Sequence, residues 1–499
     1  MSSTSKLGLS ETYGAFINNE FVPVRGPTFA ANNSGTGEQL ARIAQCGKPE
    51  IDAAVLAAQK AFPAWKATQP EERAAMLLQL AAAIEADTPR LMQIDSMDIG
   101  RRLFETKLDH TIAVAEYRYF AAAAVVHEGL NRSIPNGYMI ARREPYGVCG
   151  QIIPWNVPAI MTAHKVAPAV AAGNTVVLKP DENASLSTME LCKHIAKIFP
   201  PGVINVVPGF GTEAGAALTS HLGVAKLSFT GSGEVGRAIS HAAAERLVPV
   251  TLELGGKSPN IIFPDIEDID AVVDNAMFAT TYCNGQSCLA GTRLFVHDAI
   301  YKEVMDRLVA GMEERVRVGS PFGDDTILSN LVSEKQGKRV LNYIDIGKAE
   351  GARLLTGGSR VDIEGHKAGY FIAPTVFEAR NSMRIAQEEI FGPVLSVMRW
   401  SNYEEMIAEA NGVRYGLAAG LYTSNLRSAW ETAERLETGA VWINRYFNLA
   451  SGSPFGGFKE SGYGAELSHA TLDLYTHLKS VTIQTRVDPP WFAPKAAGK

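Results

Sequence analysis

Between Gln151 and Leu254, short apolar runs alternate with longer segments of mixed polarity. Val176-Val177-Leu178, Ile204-Asn205-Val206-Val207, Lys226-Leu227-Ser228-Phe229 and Val250-Thr251-Leu252 are compact and rich in β-branched residues, so they read as strands. Ser185 to Phe199, Thr212 to Ser220 and Glu234 to Ala244 carry the helical pattern. With Gln151-Ile152-Ile153 and the helix after Pro158, five strands alternate with four helices, which predicts a parallel, doubly wound sheet. Such sheets bind ligands beyond the C-terminal ends of their strands. A second alternating set runs from Asn260 to about Asn444. Its helices are expected near Asp268 to Tyr282, Ile300 to Val316 and Glu334 to Ala349, and its strands near Thr292 to Val296, Val394 to Arg399, Gly420 to Thr423 and Ala440 to Ile443. The expected class is α/β, with two doubly wound domains and a cleft between them. Tyr138 to Pro145 and Leu478 to Val487 fit neither set. They are either ordinary edge strands or arms that pair with a partner chain.

Composition narrows the class of protein. The 499 residues exceed one ordinary core, and 46% apolar with 20% charged residues is usual for a soluble globular chain. A formal charge of −6 without a Lys/Arg run argues against a nucleic-acid partner. No apolar stretch has membrane-span length, and Met1 to Ser10 lacks the pattern of a secretory signal, so a cytoplasmic location is expected. Five cysteines without a framework-like spacing agree with a reducing compartment. The ten histidines give no HExxH or paired Cys/His spacing, so no metal site is expected.

Three sites could carry chemistry. Gly285-Gln286-Ser287-Cys288 places a thiol on a turn-prone loop that substrate could reach, although a cysteine is more often structural. Glu253 lies in an apolar strand just before Gly255-Gly256. Buried there, it would have a raised pKa and could serve as a general base; a surface position at the strand end is the competing reading. Pro154-Trp155-Asn156-Val157-Pro158 is a proline-fixed loop that could aim the Asn156 amide at a developing oxyanion, or could be a simple turn. Gly231-Ser232-Gly233-Glu234-Val235-Gly236 spells GxGxxG, and Glu253 follows at about the spacing of a ribose-binding acid. The fingerprint belongs after the first strand of a dinucleotide fold, however, and this one follows the fourth.

These segments, with Leu178-Lys179-Pro180, Phe229-Thr230-Gly231-Ser232, Glu388-Glu389-Ile390-Phe391-Gly392-Pro393 and Pro454-Phe455-Gly456-Gly457, resemble the NAD(P)-dependent aldehyde dehydrogenase superfamily in order and spacing, over nearly the whole chain. The resemblance implies NAD-dependent oxidation of an aldehyde to its acid. Cys288 would be the nucleophile, Asn156 part of the oxyanion hole, and Glu253 the base for hydrolysis of the thioester, with Lys165 and Glu466 as a relay behind it. It assigns the cofactor to Ile152, Pro154, Trp155, Lys179, Glu182, Gly211, Phe229, Gly231, Ser232, Val235, Leu254, Glu389 and Phe391. Glu182 would bond the adenosine ribose and repel a 2′-phosphate, which favours NAD over NADP. The substrate tunnel would draw on Met161, His164, Tyr282, Phe447 and Leu449, an apolar and aromatic set without a cation for an acidic substrate.

The implied division is an NAD-binding domain of residues 1–135 and 149–255, a catalytic domain of 256–460, and oligomerisation strands at 136–148 and 476–490, giving a homodimer or homotetramer. Val157 and Asn284 depart from the family's usual aromatic residue and glutamine, away from the reacting atoms. Pro249, Ala465 and His477 stand where some relatives carry an arginine–glutamate network that supports a tetramer, so that network is expected to be missing. A CoA-acylating enzyme would not need Glu253. A silent relative of the fold would not need to keep Cys288, Asn156 and Glu253.

Overall fold

The computed structural model describes residues 7–487 and 491–492; the first six residues of the Met1 to Ser10 segment and residues 488–490 of the expected second oligomerisation strand lie outside them. After short strands between Thr12 and Ala44 come three helices: α1 (Lys48–Ala67), α2 (Pro70–Ile99) and α3 (Leu103–Val125). Prolines in the opening turns of α1 and α2 cost no hydrogen bond there, because the first N–H groups of a helix have no partner within it. A long strand, β1 (Gly137–Pro145), then leads through Gly147, at φ 132°, into the central sheet. The alternation that follows is β2 (Val148–Ile152), α4 (Pro158–Ala171), β3 (Thr175–Lys179), α5 (Leu186–Ile198), β4 (Ile204–Val206), α6 (Ala216–Ser220), β5 (Lys226–Thr230), α7 (Gly233–Arg246) and β6 (Val250–Glu253). The strands lie in the order β6-β5-β2-β3-β4 and all run parallel. The chain winds outward from β2 in one direction and returns through β5 in the other, so the crevice between β2 and β5 is a topological switch point.

The second sheet begins with β7 (Pro259–Ile262). It continues through α8 (Ile269–Thr281), β8 (Arg293–His297), α9 (Tyr301–Glu314), α10 (Glu334–Ala349), β9 (Val394–Trp400), β10 (Ala418–Tyr422) and β11 (Ala440–Ile443). These strands lie in the order β9-β8-β7-β10-β11 and run parallel; beyond β9 the seven-stranded sheet adds Thr375–Glu378, parallel, and Arg353–Thr356, antiparallel. Both sheets have apolar layers on their faces: Val166, Val170 and Leu178 belong to one cluster, Leu294, Val304 and Val397 to another. Burial of both faces accounts for the continuous apolar runs seen in the sequence. Gly462–Tyr463 returns to the first sheet and pairs antiparallel with β6, with Glu253 opposite Gly462.

The two unplaced segments meet. β12 (Thr476–Gln484) pairs antiparallel with β1, and Leu130–Ile134 covers the other edge of β1. The first strand is shorter than the expected 136–148, because Val148 already belongs to the central sheet. The second ends at Gln484 instead of running on to residue 490. Among the described residues no helix is long and apolar enough to cross a membrane.

Candidate active site

A cavity of about 340 Å³ opens where the two sheets face each other. Cys288, Glu253 and Asn156 all line it, from three unconnected parts of the chain. Glu253 is the last residue of β6, and its backbone is held on both sides. Its carbonyl accepts from Gly231 N–H at 3.0 Å, and the following Leu254 N–H donates to the Ser461 carbonyl at 2.9 Å. The Cys288 loop leaves α8 through Cys283, Asn284 and Gly285, at φ 57°, 55° and 71°. Three successive left-handed residues reverse the chain sharply, and two of them carry side chains that disfavour this conformation. Asn284 secures the turn from within: its amide donates to the carbonyls of Gly100 and Asn330, and its oxygen accepts from Ser329 N–H at 2.8 Å. Gly256 lets this loop come down beside β6, since a Cβ there would lie 2.3 Å from the Cys288 carbonyl oxygen. The Asn156 amide donates to the Gln286 carbonyl at 2.9 Å, which ties it to the same loop. An amide has two donor hydrogens, so one remains for another acceptor.

Burial sets the protonation states here. It pushes the Cys288 thiol upward, and Glu389 and Glu253 add to the shift. Burial likewise holds Glu253 well above the usual carboxylate range, with Glu466 contributing and Lys165 and His164 opposing. Glu253 Oε2 is buried and has no partner among the described residues. Behind it, Lys165 donates to Glu466 Oε1, and His164 Nδ1 lies 3.1 Å from Oε2 of the same carboxylate. Burial alone would raise Glu466, but Lys165 and His164 bring it down to about 2. His164 Nε2 meets Glu116 Oε1 at 2.9 Å. Burial opposes the charged ring, yet the two carboxylates raise its pKa to about 10.

All five expected substrate residues, Met161, His164, Tyr282, Phe447 and Leu449, line the cavity. Tyr282 and Phe447 pack with ring centroids 4.9 Å apart. The expectation of a wall without a cation is corrected: His164 and Arg339 both reach it, the first paired with two acids from distant segments. Reading the sequence also missed Leu108, Ile112 and Glu116, which lie on a helix that carries no motif, and Val157, which was set aside as remote. Arg101 is missed as well. Fully buried, it pairs with Asp109 and sits 5.2 Å over the Tyr282 ring, fixing that wall residue. Its signal, a charge beside a helix start, is too common to single out.

Of the expected cofactor residues, Pro154, Trp155, Gly231, Ser232, Leu254, Glu389 and Phe391 line the cavity. Lys179, Ile152 and Phe229 form one row across β3, β2 and β5, at the switch point. Lys179 Nζ lies 3.1 Å from Glu182. Glu182, Gly211 and Val235 lie outside the cavity lining. Ser232 caps α7 by accepting from Val235 N–H and itself lines the cavity, which puts the positive end of that helix beside it. The adjacent Thr230 hydroxyl is buried and unpartnered among the described residues. Burial raises Glu389 to about 7, while the Gly256 N–H bonded to it at 3.1 Å opposes the rise. Away from the cavity, the fold gathers His127, His469 and Asp473, with possible ligand atoms within 4.8 Å of one another. The expectation of no metal cluster rested on spacing along the chain, and hundreds of residues separate His127 from its neighbours. Arg143 already pairs with Asp473 there.

The family model for the aldehyde dehydrogenase family matches residues 21–481. An aldehyde dehydrogenase of Emericella nidulans is 43% identical over 487 residues, 96% of this chain and 96% of the relative. A mitochondrial aldehyde dehydrogenase of Rattus norvegicus is 44% identical over 478 residues, 94% of this chain and 91% of the relative. The solved NAD+ complex of an aldehyde dehydrogenase from Bacillus cereus matches with a TM-score of 0.94 at 41% identity, covering 97% of this chain and 99% of that one. The chain therefore belongs to the aldehyde dehydrogenase family and is an aldehyde-oxidising enzyme.

Proposed function

We propose that this enzyme oxidises an apolar or aromatic aldehyde to its carboxylic acid with NAD, by way of a thioester on Cys288. The observation that carries the reading is the convergence of Cys288, Glu253 and Asn156 on one largely apolar cavity. Cys288 Sγ adds to the carbonyl carbon, and its proton passes to a nearby base, for which the buried Glu253 carboxylate is the neighbour. The spare Asn156 N–H and the Cys288 backbone N–H stabilise the oxyanion of the thiohemiacetal. NAD, when bound, supplies the acceptor for the hydride that leaves this carbon. Water then attacks the thioester; Glu253 takes its proton, and the thiolate departs as the acid forms. Lys165 and Glu466 carry the proton on from Glu253.

The cofactor fits what the crevice offers: a capped helix N-terminus for the diphosphate, a Thr230 hydroxyl unpartnered among the described residues beside it, and a half-buried Glu389 for a ribose. Glu182 supports NAD over NADP by charge, and the Bacillus cereus relative was solved with NAD+. We divide the chain into a cofactor domain (1–135 and 149–255), a catalytic domain (256–460) and an oligomerisation sheet. The exposed Leu130, Tyr138, Leu478, Val481 and Ile483 of that sheet support a dimer or tetramer.

The test is NADH formation with a panel of aliphatic, aromatic and amino aldehydes. Cys288→Ala is expected to abolish it and to leave NAD binding, followed by fluorescence, intact. Cys283→Ala is expected to stay active. The reverse pattern would overturn the assignment, and a requirement for CoA would replace hydrolysis with acyl transfer.

A further inference from the structure

The cavity wall holds a second buried carboxylate for which the reaction above has no use. Leu108, Ile112 and Glu116 recur at every fourth position of α3 and line the cavity as one stripe. Exposure falls from 37% at Leu108 to 1% at Glu116, so the acid lies at the inner end of the stripe. Its Oε1 faces His164 Nε2 at 2.9 Å. Its Oε2 is buried without a hydrogen-bond partner among the described residues. Buried acceptors are almost always paired, so an unpaired one on a cavity wall calls for a donor that the cavity receives.

The neighbouring charges indicate what kind of donor. His164 lies between Glu116 and Glu466, one carboxylate on each ring nitrogen, and Lys165 also pairs with Glu466. Two carboxylates therefore face two cationic groups, and Glu253, which interacts with the same set, is pushed by burial toward its neutral form, so the cluster is balanced before the base is called on. A substrate ammonium would bring a third positive charge into this buried set, whereas a neutral hydroxyl or N–H would satisfy Oε2 and leave the balance unchanged. We propose that Glu116 Oε2 is a substrate-recognition acceptor, and that the preferred aldehyde carries a neutral hydroxyl or N–H donor on an apolar or aromatic body. This rests on the reading of the cavity as an aldehyde site and narrows its substrate class. Met161 and Phe447 provide apolar walls nearby in the same cavity. A site built to bond a hydroxyl discriminates strongly against the analogue that lacks it, because its own buried group is then left unpaired.

The experiment compares kcat/KM for benzaldehyde, its three monohydroxy isomers and an aminomethyl benzaldehyde, by NADH formation, in the wild type and in Glu116→Gln. Glutamine can still accept from His164 but presents an N–H where Oε2 stood. At least one hydroxy isomer is expected to exceed benzaldehyde by about tenfold or more in the wild type, and the substitution is expected to cut that ratio by about tenfold. Using the ratio within each protein cancels the intrinsic reactivity of the aldehydes and any general loss of activity. The wild-type panel tests the idea without any variant, should Glu116→Gln not fold. No preferred hydroxy isomer, an unchanged ratio in Glu116→Gln, or a preference for the ammonium-bearing aldehyde would each overturn the proposal while leaving aldehyde oxidation standing. Failure to oxidise any aldehyde would overturn the catalytic reading, and the acceptor role with it.

Discussion

Burial raises the pKa of both Glu253 and Cys288, which makes the Glu253 carboxylate a stronger base than an ordinary one and the Cys288 thiol a weaker acid. An ionised Glu253 can take the thiol proton as Sγ adds to the aldehyde, since both side chains line one cavity. If Glu253 activates water, Glu253→Gln keeps its volume and removes the base. Rapid mixing is then expected to show a burst of NADH, followed by steady-state turnover lower by roughly 10²–10⁴-fold. Mass spectrometry of the peptide containing Cys288 should find the acyl adduct. Normal turnover in that variant would exclude the hydrolytic role. The pH dependence follows from the same shift. A base with a raised pKa gains activity as pH climbs through that value, so kcat is expected to rise with pH over a range higher than an ordinary carboxylate would give, and to lose this limb in Glu253→Gln.

At the scale of elements, the site depends on close backbone approaches that only glycine allows. Gly285, at φ 71°, has no room for a side chain: a Cβ would lie 2.3 Å from the Gly392 carbonyl carbon and 2.5 Å from Pro393 N. This contact joins the loop of Cys288 to the segment that carries Glu389 and Phe391. Gly285→Ala is expected to cost about 1–3 kcal/mol of stability and to lower kcat with it, measured by denaturant unfolding and NADH formation. An alanine variant with wild-type stability would show that the two loops need not touch. The end of β3 sets a second expectation. Glu182 is one-third exposed and pairs with Lys179, so Glu182→Ser removes a negative charge and releases a cation beside the row Lys179, Ile152 and Phe229. The ratio of kcat/KM for NAD over NADP should then fall. A wild type that already prefers NADP would contradict the charge argument.

Across the whole molecule, the buried cluster of Glu116, His164, Glu466 and Lys165 ties α3 and α4 to the segment before β12. His164 loses its proton near 6.5 when free and near 10 when folded between its two carboxylates. The folded state therefore binds more protons across that window. The contribution of His164 is complete below about pH 6.5 and fades as pH rises toward about 10. Urea midpoints of the wild type should drop more steeply across this range than those of His164→Gln. Parallel slopes would mean that the ring is neutral when folded. The exposed sheet of β1 and β12 gives another expectation at this scale. Ile483→Asp places a charge among its exposed apolar residues, and if this sheet joins copies of the chain as proposed, size-exclusion chromatography should show a smaller species that keeps the monomer's fold.

The strand–helix alternation between Gln151 and Leu254 determines the parallel sheet, because a strand buried on both faces must be apolar throughout and the helices must return the chain. α10, from Glu334 to Ala349, begins and ends where the pattern alone puts it. Cys288, Glu253 and Asn156 were legible because reactive side chains stood among glycines and prolines that a simple strand or helix would not keep. What the tertiary structure decided is adjacency. Nothing along the chain links Glu116 to His164, or either to Glu466. They lie on segments separated by 48 and 302 residues, and only the packing of α3 against α4 and the return of the chain toward β12 brings them together. Periodicity reports which face of an element is buried, but not what it is buried against. The charged lining of the cavity therefore emerged only from the fold, since the pKa of a buried group depends on neighbours that are distant in sequence.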